Sequence, residues 1–171
     1  TKLEPEHDDH NAGAKYKEWA DAGYITICEG NDIDLSIVAD WFYNVLYKEY
    51  GIRLYKCGYD QRFAKEWLTR MSDYGWYKGE NGDLEMILQN AETLNNAMLL
   101  CESDFKSRLI NYNNNPVDHW CLGNACVKVN ERRQGLIVKT NKEKKIDGAV
   151  TFVSLYEVYR RYRTDLKGKW E

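Results

Sequence analysis

An α/β fold is predicted by three features of the sequence. Short runs rich in β-branched and aromatic residues alternate with longer stretches of helical apolar periodicity. The periodic stretches start and stop at residues suited to helix ends, and no repeat, low-complexity tract or linker interrupts them. At 171 residues, one domain with a sizeable core is expected.

Taken in order, Ala14 to Ala22 reads as a short helix stopped by Gly23, and Tyr24 to Cys28 as a strand. Ile33, Ile37, Val38, Trp41, Phe42, Val45 and Leu46 recur at helical spacing up to Tyr50-Gly51. They predict an amphipathic helix whose wide apolar face packs on a sheet or another helix. Arg53 to Tyr59 is expected as a strand ending at Asp60, and Gln61 to Tyr74 as the following helix. A brief strand near Trp76-Tyr77 precedes an expected helix from Leu84 to Cys101, with a further strand at Leu109 to Tyr112. Asn115 followed by Pro116 is a helix start, an N-cap with proline in the first helical position, and that helix should run to about Ala125. Cys126 to Asn130 and Leu136 to Thr140 then read as two strands joined by a charged turn around Gly135. A last helix is expected from Lys145 to Arg163.

The composition restricts the function. With 43% hydrophobic and 30% charged residues the chain matches an ordinary globular protein, enriched in Tyr and Trp. No apolar run reaches the roughly 18 residues of a membrane helix, and the N-terminus lacks a signal-peptide layout, so no membrane partner and a cytoplasmic location are expected. Cys28, Cys57, Cys101, Cys121 and Cys126 are odd in number, contain no CxxC and are expected as reduced core thiols. Net charge is -3, but the chain from Val127 onward holds twelve Lys/Arg against six Asp/Glu, so +6 there faces -9 in the remainder. Such a segment can face phosphates, and it is equally a pattern of solvated charge.

Two aspartates occupy positions suited to chemistry. Asp60, at the end of a predicted strand, stands where open α/β sheets collect their ligand groups, and it is also placed to cap the next helix. Asp147 lies in the first turn of the last helix, where the helix dipole favours a negative charge. Gly148 beside it would permit close approach of a metal or of backbone. His7-Asp8-Asp9-His10 is metal-like in composition, but adjacent residues point in different directions and form a poor site. His119-x-Cys121 with Cys126 matches no standard zinc spacing. No GxxxxGK[ST] phosphate loop and no GxSxG elbow occurs.

Four segments occur in one order: Gly30-Asn31-Asp32-Ile33-Asp34, Gly58-Tyr59-Asp60, Asn114-Asn115-Pro116-Val117-Asp118-His119-Trp120, and Lys142-Glu143-Lys144-Lys145-Ile146-Asp147-Gly148-Ala149. Their order and spacing resemble the nuclease domain of tailed-phage large terminase subunits. The resemblance implies a ribonuclease H-like mixed sheet flanked by helices. It also implies a metal-dependent endonuclease that cuts concatemeric phage DNA during packaging in the host bacterial cytoplasm. Asp60 matches the family's second catalytic aspartate and Asp147 the one opening the last helix. Both would ligate Mg²⁺ or Mn²⁺, two ions in a complete site, because two-metal hydrolysis gathers carboxylates from separate segments.

Double-stranded DNA is the implied substrate, held with help from Arg132, Arg133, Lys142, Lys144 and Lys145, and the portal and small terminase subunit are the implied protein partners. The family's first catalytic aspartate sits on an opening strand with two strands after it, and residues 1–23 offer no such run. A nuclease domain lacking its first strands and its ATPase partner domain is therefore expected. The alternative is a catalytically inactive DNA-binding or protein-interaction module on the same scaffold.

Overall fold

Helix dominates the architecture, because the capped and periodic segments are long while the apolar runs between them are short. The computed structural model describes residues 13–29, 33–79 and 81–167. In chain order these form α1 (Tyr16–Asp21), α2 (Leu35–Trp41) with a π-helical continuation (Phe42–Glu49), β1 (Cys57–Tyr59), α3 (Lys65–Asp73), β2 (Leu84–Met86), α4 (Ala91–Lys106), α5 (Pro116–Gly123), β3 (Ala125–Val129), β4 (Gly135–Lys139) and α6 (Asp147–Lys167). Contacts divide the chain into two compact units. One comprises Thr1–Ile33 and Met98–Val153, the other Asp34–Ala97 and Ser154–Glu171.

In the unit containing Asp34–Ala97, β1 and β2 pair in parallel, with Cys57 opposite Leu84 and Tyr59 opposite Met86. Ala39, Trp67, Met71 and Leu84 form its buried core, and Leu35, Phe42, Tyr59, Leu68 and Trp76 pack against them. Gly58 lets β1 sit close to its cover: a Cβ there would lie 2.8 Å from both Ile87 Cγ1 and Val158 Cγ2. Glu157 is buried, and its carboxylate accepts hydrogen bonds from Arg160 Nε at 2.9 Å and Arg161 Nε at 2.8 Å, while Arg161 also reaches Glu85 at 3.1 Å.

In the unit containing Met98–Val153, β3 and β4 form an antiparallel hairpin with Val127 opposite Ile137. Asn130 closes its turn, its Oδ1 accepting from the backbone N–H groups of Arg132 and Gln134 at 2.9 Å each. Asn115 caps α5 as expected: its Oδ1 accepts from the backbone N–H of Val117 at 2.9 Å, and Pro116 opens the helix. Tyr16 packs edge to face on Trp19 and on Trp120, which are tilted against each other, with centroids 5.5 to 6.0 Å apart.

Several sequence expectations are corrected. Tyr24 to Cys28 forms no strand; among the described residues the segment has no partner strand, and Tyr24 and Ile27 are exposed, so β propensity alone does not make it a strand. Leu109 to Tyr112 is likewise irregular, with Leu109 exposed. The segment at Trp76-Tyr77 contributes only one isolated bridge, between Lys78 and Leu84. Leu84 opens a strand rather than a helix, and α4 begins at Ala91, where Asn90 Oδ1 accepts from the backbone N–H of Thr93 at 2.8 Å.

The expected wide apolar face of the Ile33–Tyr50 helix is only partly covered. Ala39 is fully buried, but Ile33, Ile37, Val38 and Trp41 are exposed. From Phe42 onward the hydrogen-bond spacing widens to five residues, as in the Tyr50 N–H to Val45 carbonyl bond at 3.0 Å, and Phe42, Val45 and Leu46 are half-buried there. Of the cysteines, all five are free, Cys101 and Cys121 are buried, and Cys126 is exposed rather than in the core. Burial pushes the Cys57 and Cys101 thiols up to about 11, so both stay protonated at neutral pH. Among the described residues no helix is long and apolar enough to cross a membrane.

Candidate functional site

Asp60 follows the last residue of β1, and its carboxylate is exposed. Its Oδ1 accepts from the backbone N–H of Arg62 at 3.0 Å, closing a short turn. That turn, rather than a direct cap, is its local structural role, since α3 begins at Lys65 behind Ala64 with no side-chain cap. One oxygen is partly engaged and the other is free of protein donors among the described residues. The chain then passes through Phe63, which has a left-handed φ of 62° and a ring exposed to solvent.

Asp147 is the first residue of α6 and is exposed, between buried Ile146 and buried Ala149. Helix geometry explains the arrangement: the flanking apolar residues enter the core and turn the carboxylate outward. The segment before it is tied down by Asn124, a buried side chain whose Nδ2 donates to the Lys145 carbonyl at 3.1 Å. The carbonyl of Asn124 in turn accepts from the backbone N–H of Thr140 at 2.9 Å. Gly148 does permit close approach, and the group that approaches is a side chain of α5. A Cβ on Gly148 would lie 2.9 Å from Asp118 Oδ1 and 3.1 Å from the Cβ of Cys121. Burial holds the Asp118 carboxyl above its ordinary value, and burial raises the Cys121 thiol too, helped by the nearby charges of Asp147 and Asp118. Asp118 was visible in the sequence only as part of a longer segment; its place under α6 had no local signal.

The basic residues fall into two groups at opposite ends of β4. Arg132 and Arg133 project from the hairpin turn and are exposed. Lys142, Lys144 and Lys145 lie in the loop that leads into Asp147, Lys142 exposed and the other two partly covered. The five residues of β4 separate the groups by about 15 Å at the usual rise per residue. Arg132, Arg133 and Lys142 form no ion pair among the described residues. The sequence Asn141 to Lys144 is held as a turn, Asn141 Oδ1 accepting from the backbone N–H groups of Glu143 at 3.1 Å and Lys144 at 3.2 Å.

As donors, Asp60 and Asp147 suit a hard divalent cation: both are exposed carboxylates with oxygen lone pairs available. The described residues contain no group of three or more His, Cys, Asp or Glu side chains placed to hold a metal ion. Asp60 and Asp147 fall in different units. His119 is exposed while Cys121 is buried, so no zinc array forms there. The His7–His10 cluster and most of Gly30–Asp34 lie outside the described residues.

With a parallel strand pair ending at an exposed carboxylate, a hairpin, and a long last helix opening on a second carboxylate, the chain has a mixed α/β fold, and that fold is shared with part of a solved phage large terminase. Two known proteins carry the likeness. The crystal structure of the HK97 bacteriophage large terminase matches with a TM-score of 0.76 and 18% identity, over 90% of this chain and 30% of that one. Protein YmfN of Escherichia coli K12 is 22% identical over 156 residues, which cover 86% of this chain and 31% of that protein. The chain thus spans under a third of the length of each. No protein-family model matches the sequence.

Proposed function

We propose that this chain is the nuclease domain of a DNA-packaging terminase, a metal-dependent endodeoxyribonuclease that cuts concatemeric phage DNA in the host bacterial cytoplasm. The observation that supports it best is the placement of both aspartates: in a terminase nuclease-like fold, each is exposed at the end or start of an element, Asp60 after β1 and Asp147 opening α6. The ATPase motor, the portal and the small subunit belong to this proposal as partners, since the chain corresponds to only 30% of the terminase it matches.

In this reading Asp60 and Asp147 hold Mg²⁺ or Mn²⁺, two ions in the complete site, which when bound supply an activated water and charge stabilisation at the leaving oxygen. The protein's own residues do the positioning. The Asn124 clamp behind Lys145 positions the start of α6 at Asp147, and the turn from Asp60 to Arg62 orients the Asp60 carboxylate within its own unit. The positive end of the α6 dipole favours the approach of a phosphate beside Asp147. Lys142, Lys144 and Lys145 enter phosphate contact beside Asp147, and Arg132 and Arg133 extend that contact along the duplex.

Two measurements on the same preparations test this. Supercoiled plasmid should be nicked in Mn²⁺, and Asp60→Asn and Asp147→Asn should each lower the rate by roughly a hundredfold or more. Manganese binding, followed by its paramagnetic resonance signal, should weaken in both variants. Nicking and binding that survive both substitutions, or a parent protein showing neither, would remove the site.

A further inference from the structure

Beside β1 lies a cavity of about 600 Å³, within the size range of small-molecule sites, that the nuclease mechanism does not use. It is built within the Asp34–Ala97 unit by residues from four places: Tyr59 and Gln61, which flank Asp60; α3 from Lys65 onward; Trp76, Tyr77 and Lys78 in the segment after it; and Met86 of β2.

The chemistry of that lining is selective. Tyr59 is held by Trp67 at 5.9 Å, and Trp76 by Tyr43 and Tyr74 at 6.2 and 6.3 Å, so two of the aromatic groups are fixed by packing. Tyr77 is exposed and not engaged in any ring pair among the described residues. Among the described residues, Lys65 and Lys78 line the cavity without an ion-pair partner and no carboxylate lines it. Aromatic surface with unneutralised cations and neutral hydrogen-bonding groups matches a nucleobase attached to a phosphate. A concavity of this size admits one splayed nucleotide, whereas the stacked bases of a duplex hide the faces that Tyr77 and its neighbours would read.

We propose that this cavity binds one unpaired nucleotide of a DNA strand, its base against Tyr77 and its phosphate toward Lys65 and Lys78. Because Tyr59 and Gln61 bracket Asp60, the captured nucleotide would lie next to the proposed cut, so the substrate would be engaged as a locally opened strand. This rests on the nuclease reading for its purpose but not for its detection, since binding can be measured without metal.

The test uses the full chain in EDTA and a fluorescent oligothymidylate of about twelve nucleotides, within the usual footprint of single-strand sites. Tyr77→Ala should weaken binding about fivefold or more, and Tyr77→Phe, which keeps the ring, should restore it. Lys65→Gln with Lys78→Gln should lower the slope of log affinity against log salt by about 1.4, the value for two phosphate contacts on a single strand. Lys17→Gln, on α1 outside the cavity, should change affinity no more than any single surface charge. Equal binding by all variants, no binding by the parent, competition by blunt duplex as effective as by unlabelled oligonucleotide, or saturation by thymidine monophosphate with the oligonucleotide excluded would each overturn the proposal. Should Asp60→Asn and Asp147→Asn nick normally while oligonucleotide binding still depends on Tyr77, the nuclease assignment fails and the cavity stands.

Discussion

Asp147 and Asp60 are both exposed carboxylates at the end or start of an element, yet they are supported in opposite ways. Asp147 stands on packing: its neighbours Ile146 and Ala149 are buried, Asn124 holds the Lys145 carbonyl from inside, and Gly148 lies flush against Asp118 and Cys121. Asp60 stands on a polar turn, one hydrogen bond to the Arg62 N–H, followed at once by the left-handed, exposed Phe63. A carboxylate set by the core moves only if the core moves, whereas one set by a turn is adjustable at small cost. Substitutions around the two aspartates should therefore differ in kind: around Asp147 stability and activity fall together, around Asp60 they separate.

The largest effect on folding is expected at Gly148. A branched side chain in Gly148→Val has no room beside Asp118 and Cys121, so the start of α6 must shift, at a cost of about 3 kcal/mol in urea unfolding. Plasmid nicking should fall with it. A variant as stable as the parent would show that the junction gives way easily and that Asp147 is no better fixed than Asp60.

Next is Asn124→Ala, which strips the Lys145 carbonyl of its buried donor and should cost about 2 kcal/mol. Asp118 sharpens the same region through pH. Burial raises its folded pKa above the ordinary 3.8, so the folded state holds this proton more tightly than the unfolded chain. The resulting stability is complete below the unfolded value and is lost as pH rises through the folded value. Asp118→Asn should accordingly gain on the parent at neutral pH and not below pH 3.8, which urea titrations at the two conditions would resolve.

How much of this was legible in the sequence follows from the range of the forces involved. The Asn115 cap with Pro116 and the β3–β4 hairpin were readable because their chemistry closes within a few residues. The place of Asp147 in the first turn of its helix, beside apolar residues, was also readable from local pattern, although that helix was expected from Lys145 and begins at Asp147 itself. Leu84, Ile87 and Leu88 were not, because three apolar residues at that spacing fit a helix face and a strand end equally, and pairing with β1 decides between them. Tyr24 to Cys28 had strand composition but no partner strand among the described residues. Gly148 was read as room for a metal or backbone, and only the tertiary structure shows Asp118 occupying that room. The cavity beside Asp60 had no signal at all, since Tyr59, Lys65 and Tyr77 meet only in the fold.

On the Asp60 side the expected effects on folding are small. Asp60→Asn keeps an oxygen to accept from the Arg62 N–H, so stability should change by less than about 0.5 kcal/mol while nicking is lost. Loss of both together would mean that Asp60 is structurally embedded after all.

The smallest effect is predicted for Phe63→Gly. A left-handed φ costs a bulky residue roughly 1–2 kcal/mol, which glycine recovers. Glycine gives back about 0.5–1 kcal/mol through the greater freedom of its unfolded chain. The ring is 76% exposed, and the Arg62 guanidinium lies over it, 5.0 Å from the centroid, a contact worth about 0.5 kcal/mol in water. These contributions nearly cancel, so thermal unfolding of Phe63→Gly should match the parent within about 0.5 kcal/mol. A loss above about 1.5 kcal/mol would show that the ring carries packing of its own, and the Asp60 turn would then be braced as firmly as the Asp147 junction.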